Sequence, residues 1–222
     1  MASQNLSSPR YTSEGWSSIV SGVFGLLAIG GLIGYLLVRS PTPETGVLMN
    51  RLHDAAVIVQ FLFLLPLVFG IRKISKNQPL FISQTTVLTG VTAICLVVIS
   101  LIFLFPKVVS DILYMIPQGI FGAWLVFINL RLKAVFSGSL RWFGIIVGTG
   151  LVLVGLFPLG FAIFIDPDPL RIPPPAAKEF PKTTANNILH IILSVGSILG
   201  VLTLPVWSIL SGRRFLTYNK DG

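Results

Sequence analysis

The chain is poor in the residues that most site chemistry uses. It has one cysteine, two histidines and eight acids in 222 residues. A lone Cys95 cannot close an internal disulfide, so it carries no signal about redox compartment. As a small apolar residue inside an apolar run, it reads as buried packing. Charged residues are 11% of the chain, against about a quarter in a soluble domain. No Lys, Arg or Glu stands in the middle of a long apolar run. The motifs His-Glu-x-x-His, Cys-x-x-Cys-His, His-x-x-x-His, Gly-x-Ser-x-Gly and Gly-x-x-x-x-Gly-Lys-Ser/Thr are all absent. No span shows the discontinuous pattern of a sodium-coupled site. The polar first sixteen residues lack the basic start, short apolar stretch and small-residue site of a signal peptide.

What is present is apolar length. The apolar fraction is 53%, and it is gathered into six runs: 17–38, 52–71, 86–105, 112–130, 142–165 and 188–210. A helix needs roughly 20 residues to cross about 30 Å of hydrocarbon. These lengths predict membrane spans, with little chain left for a soluble domain. The net charge of +8 would suggest nucleic acid in a soluble protein. Here the bases flank apolar runs, so they report orientation, and no nucleic-acid partner is expected.

Orientation follows from the loops. With a cytoplasmic N-terminus, one side holds ten bases: Arg10, Arg72, Lys73, Lys76, Arg131, Lys133, Arg141, Arg213, Arg214 and Lys220. The other side holds six bases and six of the eight acids. Positive-inside bias therefore places both termini in the cytoplasm of a cell-membrane protein. The longest outer connection, 166–187, contains Asp166-Pro167-Asp168-Pro169 and Pro173-Pro174-Pro175. Such a segment favours stiff extended backbone and reads as a spacer, with a lid over the bundle mouth as the alternative.

Small residues spaced by four recur as Gly30/Gly34, Gly144/Gly148 and Gly196/Gly200, and they predict faces where neighbouring backbones approach. Pro66, Pro117 and Pro205 fall inside even-numbered runs and predict kinks. The third run, richer in β-branched and aromatic residues, is expected to face lipid more.

A short pattern occurs three times: Asn50-Arg51-Leu52-His53, Asp111-Ile112-Leu113-Tyr114 and Asn187-Ile188-Leu189-His190. Each opens an apolar run that ends in bases. The structural reading makes Asn50, Asp111 and Asn187 helix N-caps, with the His or Tyr ring at the membrane interface. The functional reading makes three parallel helices bring His53, Tyr114 and His190 to one depth, with Asp54 and Asp111 beside them. His53 and His190 are the only histidines, and they occupy equivalent places. Two facing imidazoles are suited to haem iron, or to zinc with a carboxylate or water. Ser194 lies one turn after His190 on the same face, a spacing that suits a polar contact between helices better than a nucleophile and its base.

The stretches 116–124 (Ile-Pro-Gln-Gly-Ile-Phe-Gly-Ala-Trp) and 140–148 (Leu-Arg-Trp-Phe-Gly-Ile-Ile-Val-Gly), with Gly155-Leu156-Phe157-Pro158, an outer loop and His190, resemble uncharacterised prokaryotic six-span membrane families. The resemblance covers the second half of the chain and implies a six-helix bundle without an assigned activity. Mitochondrial carriers also have three hairpins, but their Pro-x-acid-and-base signature is missing from the odd runs.

The expected fold is thus all-α, a polytopic bundle of six transmembrane helices over 17–211, built as three hairpin repeats. Cytoplasmic tails are expected at 1–16 (polar) and 212–222 (basic). The expected function is non-enzymatic, without a cofactor: binding or passing a small solute through an outward-facing polar pocket formed from Asn50, Asp54, Asp111, Tyr114 and Asn187. The alternatives are a metal- or haem-binding redox subunit using His53 and His190, and a structural accessory subunit. The lipid bilayer is the expected partner.

Overall fold

The computed structural model describes residues 11–38, 43–75, 82–104, 113–133, 135–165 and 183–218. All the secondary structure in these segments is helical. The order is α1 Thr12–Val38, α2 Pro43–Ser75, α3 Gln84–Leu104, α4 Met115–Arg131, α5 Gly138–Phe164, α6 Thr184–Gly196, a π-helical turn Ser197–Val201, and α7 Leu204–Tyr218. The last three form one interrupted rod. Among the described residues, five helical stretches are long and apolar enough to cross a membrane: α1, α2, α3, α5 and the α6–α7 rod. The 17 residues of α4 span about 25 Å at 1.5 Å per residue, just short of the hydrocarbon thickness.

The outer surface is inverted relative to that of a soluble protein, and polar side chains are set within a mostly apolar core. Exposed large side chains are apolar on every helix, for example Leu27, Phe69, Ile102, Leu130, Ile163 and Ile191. Ser18, Ser21, Gln60, Gln118, Asn129, Ser208 and Ser211 are instead buried. Such a protein is at home in lipid, where buried hydroxyls and amides join helices.

The helices form a ring in chain order, each packed on the next, closed by α7 on α1. Small residues draw the seams tight. Between α1 and α2, Ser17 and Ser21 donate to the carbonyls of Phe63 and Gln60 at 2.7 and 2.9 Å. Between α1 and α7, Ser18 donates to Ser208 O at 2.7 Å, and a side chain at Gly15 would meet Leu216 at 2.7 Å. Between α4 and α5, a Cβ at Gly119 would lie 2.7 Å from Gly155 Cα.

Gly144 and Gly148 do form a packing face, against Asn129 and Gly122 of α4. Gly196 and Gly200 pack on Gly150 of α5. Gly30 does not: nothing lies within 4 Å of its Cβ position, and it borders a groove on the outside of α1 and α2. Cys95 is exposed on α3, not buried. Ile99, Ile102 and Phe103 of α3 are exposed, while Val87, Val97 and Val98 are buried.

The cap assignments at Asn50 and Asn187 are overturned. Helix α2 begins at Pro43, so Asn50 lies two turns inside it, where its amide donates to Asp54 at 3.3 Å. A proline at the first helical position suits a helix start, because its missing N–H is unpaired there in any case. Helix α6 is capped by Thr183, whose side chain accepts from Asn186 N; Asn187 is already helical. Asp111 lies outside the described residues, as does 166–182 of the long loop. Pro117 kinks nothing, being the third residue of α4. Helix α1 starts at Thr12 and α7 runs to Tyr218.

Candidate functional site

The interior of the ring divides into two halves. Towards the end that carries Arg72, Lys73, Arg131, Arg141, Arg213 and Arg214, it is solid. Leu64, Leu67, Ile71, Leu125, Ile128, Trp207 and Phe215 are fully buried there. Arg141 of α5 donates to Asn129 O of α4 at 2.9 Å, and Arg214 of α7 donates to Val135 O in the α4–α5 connection at 3.0 Å. Lys73 pairs with Glu14 at 3.8 Å. An aromatic layer tops this half: Phe61 meets Phe121 edge-on with centroids 5.6 Å apart, and Phe121 stacks on Trp124 at 5.4 Å. Trp124 is fixed by donation from Nε1 to Thr86 O at 2.8 Å.

Beyond that layer the ring is hollow. A cavity of about 430 Å³ lies between α1, α2, α4, α5 and the α6–α7 rod. Helix α2 supplies His53, Val57 and Gln60, one face at i, i+4 and i+7. Helix α4 begins beside it and contributes Tyr114, its preceding residue, and Gln118. Ser197, Val201 and Leu204 come from the interrupted rod. The wall is mostly apolar, with Leu32, Leu151, Val154 and Leu193 among its members. No Asp, Glu, Lys or Arg occurs among the described residues that line it. A charged solute would leave water for this wall without a counter-charge, so the chemistry favours a neutral guest.

The His53 ring is oriented from outside the cavity. Nδ1 lies 2.8 Å from the Ala28 carbonyl of α1. A carbonyl only accepts, so Nδ1 carries a proton and donates it to Ala28 O. The close approach of α1 makes this reach possible: a Cβ at Gly31 would sit 3.1 Å from His53 N.

The interruption of the last rod shapes the far wall. Pro205 has no N–H to offer the Val201 carbonyl four residues back. Thr203 instead turns its hydroxyl onto Leu199 O, and Leu202 N donates to Ser197 O at 2.9 Å, five residues back. This is a π turn, a feature concentrated at functional sites. The signal for this turn in the sequence was Gly200 followed by Pro205. Pro158 lies inside α5.

Of the residues singled out by sequence, the structure brings His53 and Tyr114 to one cavity. Asn50 and Asp54 face each other along α2 and do not line it. Asn187 is exposed on α6. His190 is exposed, with its ring 5.8 Å from that of Phe157 on α5. The two histidines thus pack against different helices, α1 and α5. Among the described residues no three His, Cys, Asp or Glu side chains gather as a metal site would require. Gln60, Gln118 and Ser197 were missed; a lone amide inside an apolar run was the signal for the first two.

Comparison with family models, with curated proteins and with solved structures gives no match.

Proposed function

We propose that this protein is a six-span cell-membrane protein that binds a small neutral solute within the outer half of its bundle. The observation that carries the reading is the cavity: its volume and its mostly apolar wall with a few polar groups are those of a small-molecule site. Counting α4 as a sixth span places both termini on the basic side. Positive-inside bias makes that side cytoplasmic and puts the cavity outside the bilayer midplane. His53, Tyr114, Gln118 and Ser197 are the groups that would orient the guest. The aromatic layer of Phe61, Phe121 and Trp124, with the buried apolar side chains beyond it, favours binding over free conduction.

The test is extraction of small molecules from protein purified in mild detergent, compared with a Val154→Trp variant. Val154 is buried on the cavity wall, and an indole there fills much of the space. A neutral species that accompanies wild type and is lost from the variant supports binding. Identical extracts from two equally folded proteins overturn it.

A further inference from the structure

We infer that the cavity opens sideways into the bilayer between α1 and α6, and that its guest is a membrane-dissolved amphiphile. This deepens the binding role proposed above and rests on it.

The argument starts with one face of α1. Gly15, Ser18, Gly22 and Gly25 follow each other at spacings of three and four. All four meet α7: Gly15 faces Leu216, Ser18 bonds Ser208, Gly22 faces Pro205 and Ile209, and Gly25 faces Pro205 at 2.6 Å. The same face continues as Ile29, Leu32, Ile33 and Leu36, and here the residue type changes from small to large. These four residues line the cavity. Small residues let backbones close; branched and long ones hold them apart.

The partner also changes course. Pro205 sits at the top of the tight seam, and just beyond it the rod passes through the π turn. Within that turn and just above it, Gly200 and Gly196 bring the rod hard against Gly150 of α5, drawing α6 towards α5. The strong packing of α1 is with α2 and α7, and that of α6 is with α5. A cleft is left between the upper halves of α1 and α6.

The edge of this cleft is apolar and open. Ile33 and Leu36 are each 52% exposed although they line the cavity, and Leu202 is 40% exposed. They continue the exposed apolar belt formed by Leu37 and Ile198. A mouth rimmed in this way meets hydrocarbon, not water. Its polar groups, His53, Tyr114, Gln118 and Ser197, lie within. A guest that enters apolar end or body first from lipid, and hydrogen-bonds inside, fits both features. A fully polar solute fits neither the rim nor the wall.

The experiment places a thiol in the cavity, Ser197→Cys in a Cys95→Ser background, in proteoliposomes. Two methanethiosulfonates compete for it: the water-soluble, anionic ethylsulfonate reagent and the octyl reagent, which partitions into lipid. Native protein retaining the exposed Cys95 serves as the control for reagent delivered through lipid. The octyl reagent should modify Ser197→Cys faster by about tenfold or more, given the gain of each methylene on entering the bilayer. Ile33→Trp, at the rim, should slow that reaction several-fold while leaving Cys95 unchanged. Equal or faster reaction with the sulfonate reagent would mean a mouth open to water; it overturns lateral entry and leaves the cavity standing. Reaction of Cys95 but of no reagent with Ser197→Cys would remove both the entry route and the binding site.

Discussion

His53 of α2 donates through Nδ1 to the Ala28 carbonyl of α1 at 2.8 Å, while its ring lines the cavity. One side chain thus joins two helices and forms part of the site. His190, the other histidine, is exposed against Phe157. The two substitutions should therefore differ. His53→Ala loses an interhelical hydrogen bond, worth about 1 kcal/mol in a membrane protein, and should also weaken retention of the cavity guest. His190→Ala should leave retention unchanged. Unfolding in mixed detergent and small-molecule extraction together check this. Equal effects on retention would mean that the ring's place in the cavity wall has no bearing on binding.

The glycine contacts make a sharper contrast. A Cβ at Gly150 would run into the backbone of Gly200, and one at Gly200 into Leu151 N. Backbone cannot swing aside as a side chain can. Gly150→Leu and Gly200→Leu should each destabilise by about 2 kcal/mol or more, the range for overpacking. Gly30 faces open space, and Gly30→Ala should be neutral or stabilising by about 0.5 kcal/mol, because alanine restricts the unfolded chain more. Equilibrium unfolding in detergent orders the three. A cost at Gly30 matching that at Gly150 would contradict the packing described.

These glycines also show where the sequence was legible. The apolar runs located the helices, because their length and lack of charge are set by the chain alone. The seams were legible only where both partners happened to carry glycine. Gly144/Gly148 and Gly196/Gly200 are true contact faces, yet Gly30/Gly34 has the same spacing and Gly30 touches nothing. The functioning face of α1 runs through Gly15, Ser18, Gly22 and Gly25, and choosing it requires knowing where α7 lies. The repeated Asn/Asp-x-Leu-His/Tyr pattern misled on capping because stronger start signals lay just upstream: Pro43 with Glu44, and Thr183. It still pointed to His53 and Tyr114, since the hairpins carry those two residues to the same end of the bundle. Gln60 and Gln118 escaped notice because nothing local marks which face of a span points inward.

Sidedness can be read from two exposed positions at opposite ends. Ser139 opens α5 at the basic end, and Thr184 opens α6 at the other. In a Cys95→Ser background, Thr184→Cys should react with an impermeant maleimide on intact cells. Ser139→Cys should react only after permeabilisation. The expectation rests on the bases Arg131, Lys133, Arg141, Arg213 and Arg214 gathered near Ser139 and on the preference of such residues for the cytoplasm. The reverse pattern would turn the cavity towards the cytoplasm.

The last prediction concerns the break in the final rod. Two features coincide there: Pro205, which cannot donate to the Val201 carbonyl, and the close contact of Gly200 with Gly150. Either could hold Ser197–Val201 in its π turn. Pro205→Ala separates them. If proline is the cause, the new N–H bonds Val201, the turn tightens towards α-helix, and amide exchange across 197–203 slows by about tenfold, the equivalent of one net hydrogen bond. The same substitution removes the ring that packs at 2.6 Å from the Cβ position of Gly25. Exchange in α1 around Gly22 and Gly25 should then quicken, opposite in sign to the change in the rod. Octyl modification of Ser197→Cys should fall as the turn withdraws from the cavity. If exchange across 197–203 is unchanged, the glycine contact holds the turn. In that case Gly200→Ala, not Pro205→Ala, should alter both exchange there and access to the cavity.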